Sequence, residues 1–208
     1  MMLIGQYDSP FTRRVAITLR CYDMAFEHNR WSVFGNAKEL AKVNPLIRVP
    51  TLVLDTGEAL IETAAIIDYL DSCVTEAMRL TPQVQPARYR DQRIVSMASG
   101  VSDMAVRLFY EQQLHAEPSA DFVGRVTRQL QGALSWLDND RSAHASENWF
   151  GVAMTQADIA VTCAVRHLSE CHPKIWNAGG HAALAKHCDW FEATPLFQEI
   201  AQVFIPPA

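Results

Sequence analysis

Apolar positions in this chain change grammar near residue 80. Before it, short apolar runs alternate with helical stripes; after it, only helical stripes remain. Leu3 to Gln6 reads as a strand, and Pro10 to Cys21 as a helix with Ser9 at the cap and Pro10 in the first turn. Phe26 to Val33 suggests a second strand. Asn36 to Val43 suggests a short helix, with Asn36 as cap and Glu39 three residues on. Val49 to Leu54 is strand-like and Asp55-Thr56-Gly57 is a turn, so Glu58 to Ile61 can return as a hairpin partner. Thr63 to Leu70 is helical, with Ala65, Ile66, Tyr69 and Leu70 as expected inward positions. The order β-α-β-α-β-β-α predicts a mixed sheet with helices on its faces.

Leu80-Thr81-Pro82-Gln83-Val84-Gln85-Pro86 is the boundary, with two prolines and few apolar residues. The long stripe Ala87 to Gln113 carries Ile94, Met97, Val101, Ala105 and Leu108. Ser119 to Asn139 carries Val123, Val126, Leu130, Leu134 and Leu137. Thr155 to Leu168 is apolar on most sides and should be central in a bundle. Shorter helices are expected at Ala182 to Asp189 and Pro195 to Val203. Two domains follow, residues 1–80 and 87–208.

Composition narrows the function classes. The chain has 208 residues, 49% of them hydrophobic, and a formal net charge of -5. That balance does not suggest nucleic-acid binding, and Arg13-Arg14 reads as a solvated pair on a helix face. No apolar run is long enough for a membrane span, and the start lacks the features of a signal peptide. Five widely spaced cysteines suggest reduced thiols and a cytoplasmic setting. Cys163 with His167, and Cys171 with His172, do not complete a zinc-ligand set, so no metal is expected.

Four local motifs have both a structural and a chemical reading. Ser9 is a helix cap; it can also donate a hydrogen bond to a bound thiolate at a helix N-terminus. Val49-Pro50 is either a trans pair heading a strand or a cis pair whose Val49 backbone faces an extended peptide. Glu62-Thr63 either caps a helix or clamps the α-amine and α-carboxylate of an amino acid. Thr155-Gln156-Ala157-Asp158 reads as a capping box that serves folding.

Taken with their order and spacing, these motifs resemble the cytosolic glutathione transferase superfamily over nearly the whole chain. Tyr7-Asp8-Ser9-Pro10-Phe11-Thr12-Arg13-Arg14 resembles the first-helix motif of bacterial serine-type members. Val49-Pro50 resembles their cis-proline pair, and Glu62-Thr63-Ala64-Ala65-Ile66 their γ-glutamyl clamp. Gly151 to Asp158 resembles the capping box and hydrophobic staple of their helical domain. The resemblance implies an α/β thioredoxin-like N-terminal domain plus an all-α C-terminal domain. It also implies glutathione as co-substrate and a homodimer.

On that resemblance Ser9 faces the sulfur, and Val49 with Pro50 pairs the cysteinyl backbone. Glu62 and Thr63 hold the γ-glutamyl end, and Lys38 or Arg48 meets the glycyl carboxylate. The implied activity is transfer of the glutathione thiolate to a small apolar electrophile, in detoxification, with Met104, Arg107 and Tyr110 as candidates for the electrophile side. A non-catalytic glutathione-transferase-like binding module is the alternative, as is a glutathione-dependent reductase or lyase of a specific metabolite. The chain lacks the Ser-x-Cys pattern of the maleylacetoacetate isomerase-like class. It also has no cysteine at position 9, which disfavours thiol–disulfide exchange.

Overall fold

The structure, a computed structural model, describes residues 1–151 and 153–204. It divides into two compact units: Met1–Gln83 together with the segment from Pro195 on, and Val84–Thr194. The sequence division differs from this at its C-terminal end, where it assigned 195–208 to the helical part; residues 205–208 lie outside the described residues.

The first unit holds a four-stranded sheet in the order β2-β1-β3-β4. β1 (Met2–Ile4) pairs in parallel with β2 (Glu27–Asn29) and antiparallel with β3 (Thr51–Val53), which pairs antiparallel with β4 (Ala59–Ile61). The register sets Leu3 opposite His28 and Leu52, and Leu52 opposite Leu60. With α1 (Pro10–Cys21), the short α2 (Ala37–Leu40) and α3 (Thr63–Ser72), this is the thioredoxin-like arrangement. The strands are shorter than the apolar runs. β1 ends where Gly5 takes φ +135°, and β3 starts only after Pro50, which has no N–H for the ladder.

The core of this unit is Leu3, Ile4, Val15, Ile17, Leu19, Leu40, Leu52, Ile66 and Leu70, all fully buried. Tyr22 closes it from within, donating to Asp71 and accepting from Leu80 N–H at 2.8 Å. Three expectations are corrected here. Arg13 and Arg14 are buried, not solvated, and Arg13 is covered by the C-terminal segment, whose carbonyls it reaches. Asn36 forms no capping box with Glu39, since its side-chain carbonyl accepts from Ser32 N–H at 3.1 Å in the preceding turn. Ala65 is exposed, and Ile67 takes the inward position beside Ile66.

The second unit is helical: α4 (Ala87–Leu114), α5 (Ala120–Ser142), α6 (Gln156–Cys171) and α7 (Ala182–Glu192). α6 packs on α4 and α7, and α5 packs on α4 and α7. As its all-round apolar pattern predicts, α6 is buried from Gln156 to Val165. Its N-terminus is fully provisioned. Asp158, buried with no exposure, accepts from Thr155 N–H and from Trp149 N–H at 2.7 Å each. Buried Asp91 on α4 accepts from Ala157 N–H at 3.0 Å. The motif quoted from Gly151 to Asp158 includes Val152, which lies outside the described residues. No helix among the described residues is long and apolar enough to cross a membrane.

Candidate functional site

Ser9 begins α1 with extended backbone angles, φ -69° and ψ 121°, and its Oγ accepts from Thr12 N–H at 3.3 Å. That bond uses the oxygen and leaves the hydroxyl proton, which has no acceptor among the described residues. The turn leading to Ser9 is held by Ser9 N–H to Gln6 C=O at 3.2 Å. Before the turn, Gly5 N–H donates to Asn29 C=O at 2.9 Å. His28 Nε2 lies 2.8 Å from Gly5 C=O, and since a carbonyl only accepts, this nitrogen carries the proton. Burial holds His28 below the ordinary histidine value, consistent with a neutral ring. Tyr7 stacks flat on that ring, centroids 3.9 Å apart at 9°, and burial pushes its phenol up.

Gly5 also determines what stands beside this turn. A Cβ there would meet Thr12 Oγ1 at 2.4 Å and Val49 Cβ at 2.9 Å, and its φ is one that other residues rarely adopt. Glycine therefore lets the first turn of α1 and the Val49 loop approach each other.

The Val49–Pro50 bond is cis, which answers the choice the sequence leaves open. Val49 N–H and C=O have no hydrogen-bond partner among the described residues. The loop before them is tied down by Asn44, 1% exposed. Its amide donates to Arg48 C=O and to Thr51 Oγ1 at 3.0 Å each, and its carbonyl accepts from Leu46 N–H at 3.0 Å. A rigid loop thus presents two unpaired backbone groups, the requirement for pairing an added extended chain.

Glu62 precedes α3 with φ 67° and makes no side-chain cap bond to it. The first-turn amides of α3 and the buried Thr63 are consequently not capped from Glu62. The Glu62 carboxylate instead pairs with Arg48, Nη1 to Oε1 at 2.9 Å, which links the Val49 loop to the start of α3. Both partners are more than half exposed, so the pair adds little stability. Lys38 is exposed on α2 and makes no ion pair among the described residues.

Gly5 and the Arg48–Glu62 pair thus gather Ser9, Arg48, Val49, Pro50, Glu62 and Thr63 into one neighbourhood, and among the described residues no hydrogen bond or ion pair joins Lys38 to it. Of the helical residues named for the electrophile side, Met104 packs against the core of its own unit. Arg107 pairs with Asp103 at 2.9 Å, and Tyr110 sits tilted against Phe109. No cluster of three or more potential metal-ligating side chains occurs among the described residues. The sequence reading missed His28, Tyr7 and Asn44. Of these, only Asn44 carries a local signal, an asparagine directly before Pro45 in a loop.

The fold is that of the glutathione transferases. The family model for the glutathione S-transferase N-terminal domain matches residues 3–76. A crystal structure of a glutathione S-transferase from Methylobacillus flagellatus KT with glutathione bound superposes with a TM-score of 0.88. It is 23% identical and covers 97% of this chain and 99% of its own. A glutathione S-transferase from Methylobacterium radiotolerans JCM 2831, in complex with glutathione sulfonate, also gives 0.88, at 26% identity and 100% and 98% coverage. The uncharacterized GST-like protein YibF of Escherichia coli K12 is 28% identical over 81% of this chain and 82% of its own length. The chain thus has the glutathione transferase fold and is similar in sequence to glutathione transferases, with the family model confined to its first part.

Proposed function

We propose that this chain is a serine-type glutathione transferase that binds glutathione along its first unit and activates the thiolate for attack on a small apolar electrophile. The observation that carries this reading is the pair of unpartnered Val49 backbone groups beside the Ser9 turn. A tripeptide paired to Val49 brings its central cysteine near a hydroxyl whose proton is unused. Ser9 donates a hydrogen bond through that proton to the sulfur and so favours the thiolate, and the α1 N-terminus adds to the effect. Holding an ionised nucleophile in place lowers the barrier to attack on a bound electrophile.

The start of α3 suits the γ-glutamyl end. Thr63 and the uncapped first-turn amides meet its α-carboxylate, and the Glu62 carboxylate meets its α-amine. Because Arg48 is engaged with Glu62, we assign the glycyl carboxylate to Lys38 and give Arg48 the task of orienting Glu62. The protein structures bound to glutathione and glutathione sulfonate support the same ligand class here. A cytoplasmic homodimer in detoxification belongs to this reading, with light scattering as the test of the dimer.

Titration calorimetry with glutathione tests the core of the proposal. Binding at millimolar ligand or tighter is expected, with turnover of a chloro-dinitrobenzene that Ser9→Ala depresses. Absence of binding at that concentration rejects the transferase reading in favour of a non-catalytic module.

A further inference from the structure

The last described segment of the chain folds back onto the first helix. α8 (Pro195–Glu199) buries Phe197 completely and packs on α1. Arg13, four residues after Ser9 and 2% exposed, is the anchor. Its Nε donates to Ile200 C=O at 2.7 Å and its Nη2 to Phe197 C=O at 2.9 Å, with the guanidinium 5.5 Å from the Phe197 ring centroid. Arg20 and Glu199 form an outer clasp at 2.7 Å. Beyond this anchor, Gln202 Oε1 accepts from the backbone N–H of Tyr7 at 3.2 Å.

That last bond reaches the turn that carries Ser9. Tyr7 lies two residues before Ser9, inside the Gln6-to-Ser9 turn, with its ring already fixed on His28. The His28 stack holds the side chain, and Gln202 holds the backbone. An N–H in this turn has no ladder partner of its own, so without Gln202 it must turn toward water or another acceptor. A tilt of this peptide moves the Ser9 hydroxyl relative to any sulfur placed over it, and hydrogen bonds to a thiolate depend steeply on such geometry.

We infer that Gln202 is a positioning residue: the C-terminal segment, anchored by Arg13, holds the Tyr7 peptide so that Ser9 meets the glutathione thiolate. The inference rests on the transferase reading above. Gln202 does not touch the reacting atoms; it acts through Tyr7 and Ser9.

Gln202→Met keeps the length of the side chain and removes the acceptor, while Gln202→Glu keeps an acceptor oxygen. Three measurements on the full chain separate the possibilities. In the protein without ligand, amide exchange of Tyr7 is expected to accelerate in Gln202→Met and to stay near wild type in Gln202→Glu. In the glutathione complex, the thiol pKa, followed by thiolate absorbance, is expected to rise in Gln202→Met. Turnover of a chloro-dinitrobenzene should fall about fivefold, with the glutathione KM changed by less than about twofold. Gln202→Glu should restore both. Equal thiol pKa and equal kcat in wild type and Gln202→Met overturn the inference, as does a loss that Gln202→Glu fails to restore. A wild-type protein that binds no glutathione rejects the transferase reading itself, and the inference with it. The exchange measurement would then still show whether the segment holds the turn.

Discussion

Two helix starts in this molecule look alike in sequence and differ in what they leave undone. At α1, Ser9 caps by accepting one amide, and its hydroxyl proton has no acceptor among the described residues. At α6, Asp158 is inaccessible to solvent and accepts from Thr155 and Trp149, while Asp91 serves Ala157. Capping chemistry is common to both, but unused hydrogen-bonding capacity, partly open to solvent, is present only at the first. That difference separates a cap that can take part in binding from one that serves folding, and it can be tested by removing each side chain.

The largest effect is expected at the buried start. Asp158→Ala leaves the Trp149 and Thr155 amides without their acceptor, each at about 1–3 kcal/mol, for a total loss near 4 kcal/mol of unfolding free energy. Denaturant titration measures it. A loss under about 1 kcal/mol would erase the distinction between the two caps.

The same buried start has a pH signature. Burial raises the Asp158 carboxyl to about 6, and burial with the neighbouring Arg141 holds His187 down at about 3. His187 Nδ1 faces Arg141 Nε at 3.0 Å and its Nε2 lies 3.6 Å from Asp158. The two groups act in opposite senses. Below the ordinary histidine value of 6.5, the unfolded chain takes a proton at His187 that the folded chain refuses, so stability falls with pH. From about 6 down to the ordinary carboxyl value of 3.8, the folded chain takes a proton at Asp158 that the unfolded chain does not, so stability rises. The contributions offset each other between about pH 6 and pH 4. Asp158→Asn removes the second one only. Its stability should therefore fall faster than wild type on acidification in that window, by up to about 1.4 kcal/mol per pH unit. Parallel pH dependences in urea titrations of the two proteins would contradict the assignment.

How much of this was legible in the sequence follows from the range of the interactions. The Ser9 cap and the Asp158 box rest on residues three apart, and each is found where its motif stands; α3 starts at Thr63 as its periodicity predicts, without a side-chain cap from Glu62. The Asn36 box failed because a competitor lay just as close, the Ser32 amide. The burial of Arg13 depends on carbonyls 184 and 187 residues away, and the brace on Tyr7 on a side chain 195 residues away. Periodicity carries no information at those separations. Arg13 looks solvated until the segment that covers it is known. Val49 is intermediate: the Val-Pro pair is visible, but its isomer and its unpaired backbone groups are properties of the folded loop that Asn44 holds.

The open cap should show the reverse profile to Asp158. Ser9→Ala removes one amide acceptor at the edge of a helix, so stability should drop by about 1 kcal/mol. Turnover loses a hydrogen bond to a charged sulfur, worth about 1.5–3 kcal/mol, and should fall about 10- to 100-fold with glutathione affinity less affected. Steady-state kinetics beside denaturant titration make the comparison. A stability loss as large as that of Asp158→Ala, or unchanged kcat, would make Ser9 a structural cap after all.

The smallest effect is expected at the Arg48–Glu62 pair, and it refines the comparison. Both side chains are exposed and their attraction is screened, so Arg48→Ala should change stability by no more than about 0.5 kcal/mol. Its role in the proposed site is to aim Glu62, whose positive φ already fixes the backbone but not the carboxylate. Losing that aim should weaken glutathione binding about three- to fivefold and leave kcat nearly unchanged, because the γ-glutamyl end is remote from the sulfur. Added salt should weaken wild-type binding and have less effect on the variant, since the screened interaction is already gone. If Arg48→Ala instead lowers kcat as Ser9→Ala does, the division of labour is wrong. The Val49 loop would then couple the clamp to the sulfur end, and the unused capacity seen at α1 would belong to a unit larger than Ser9 alone.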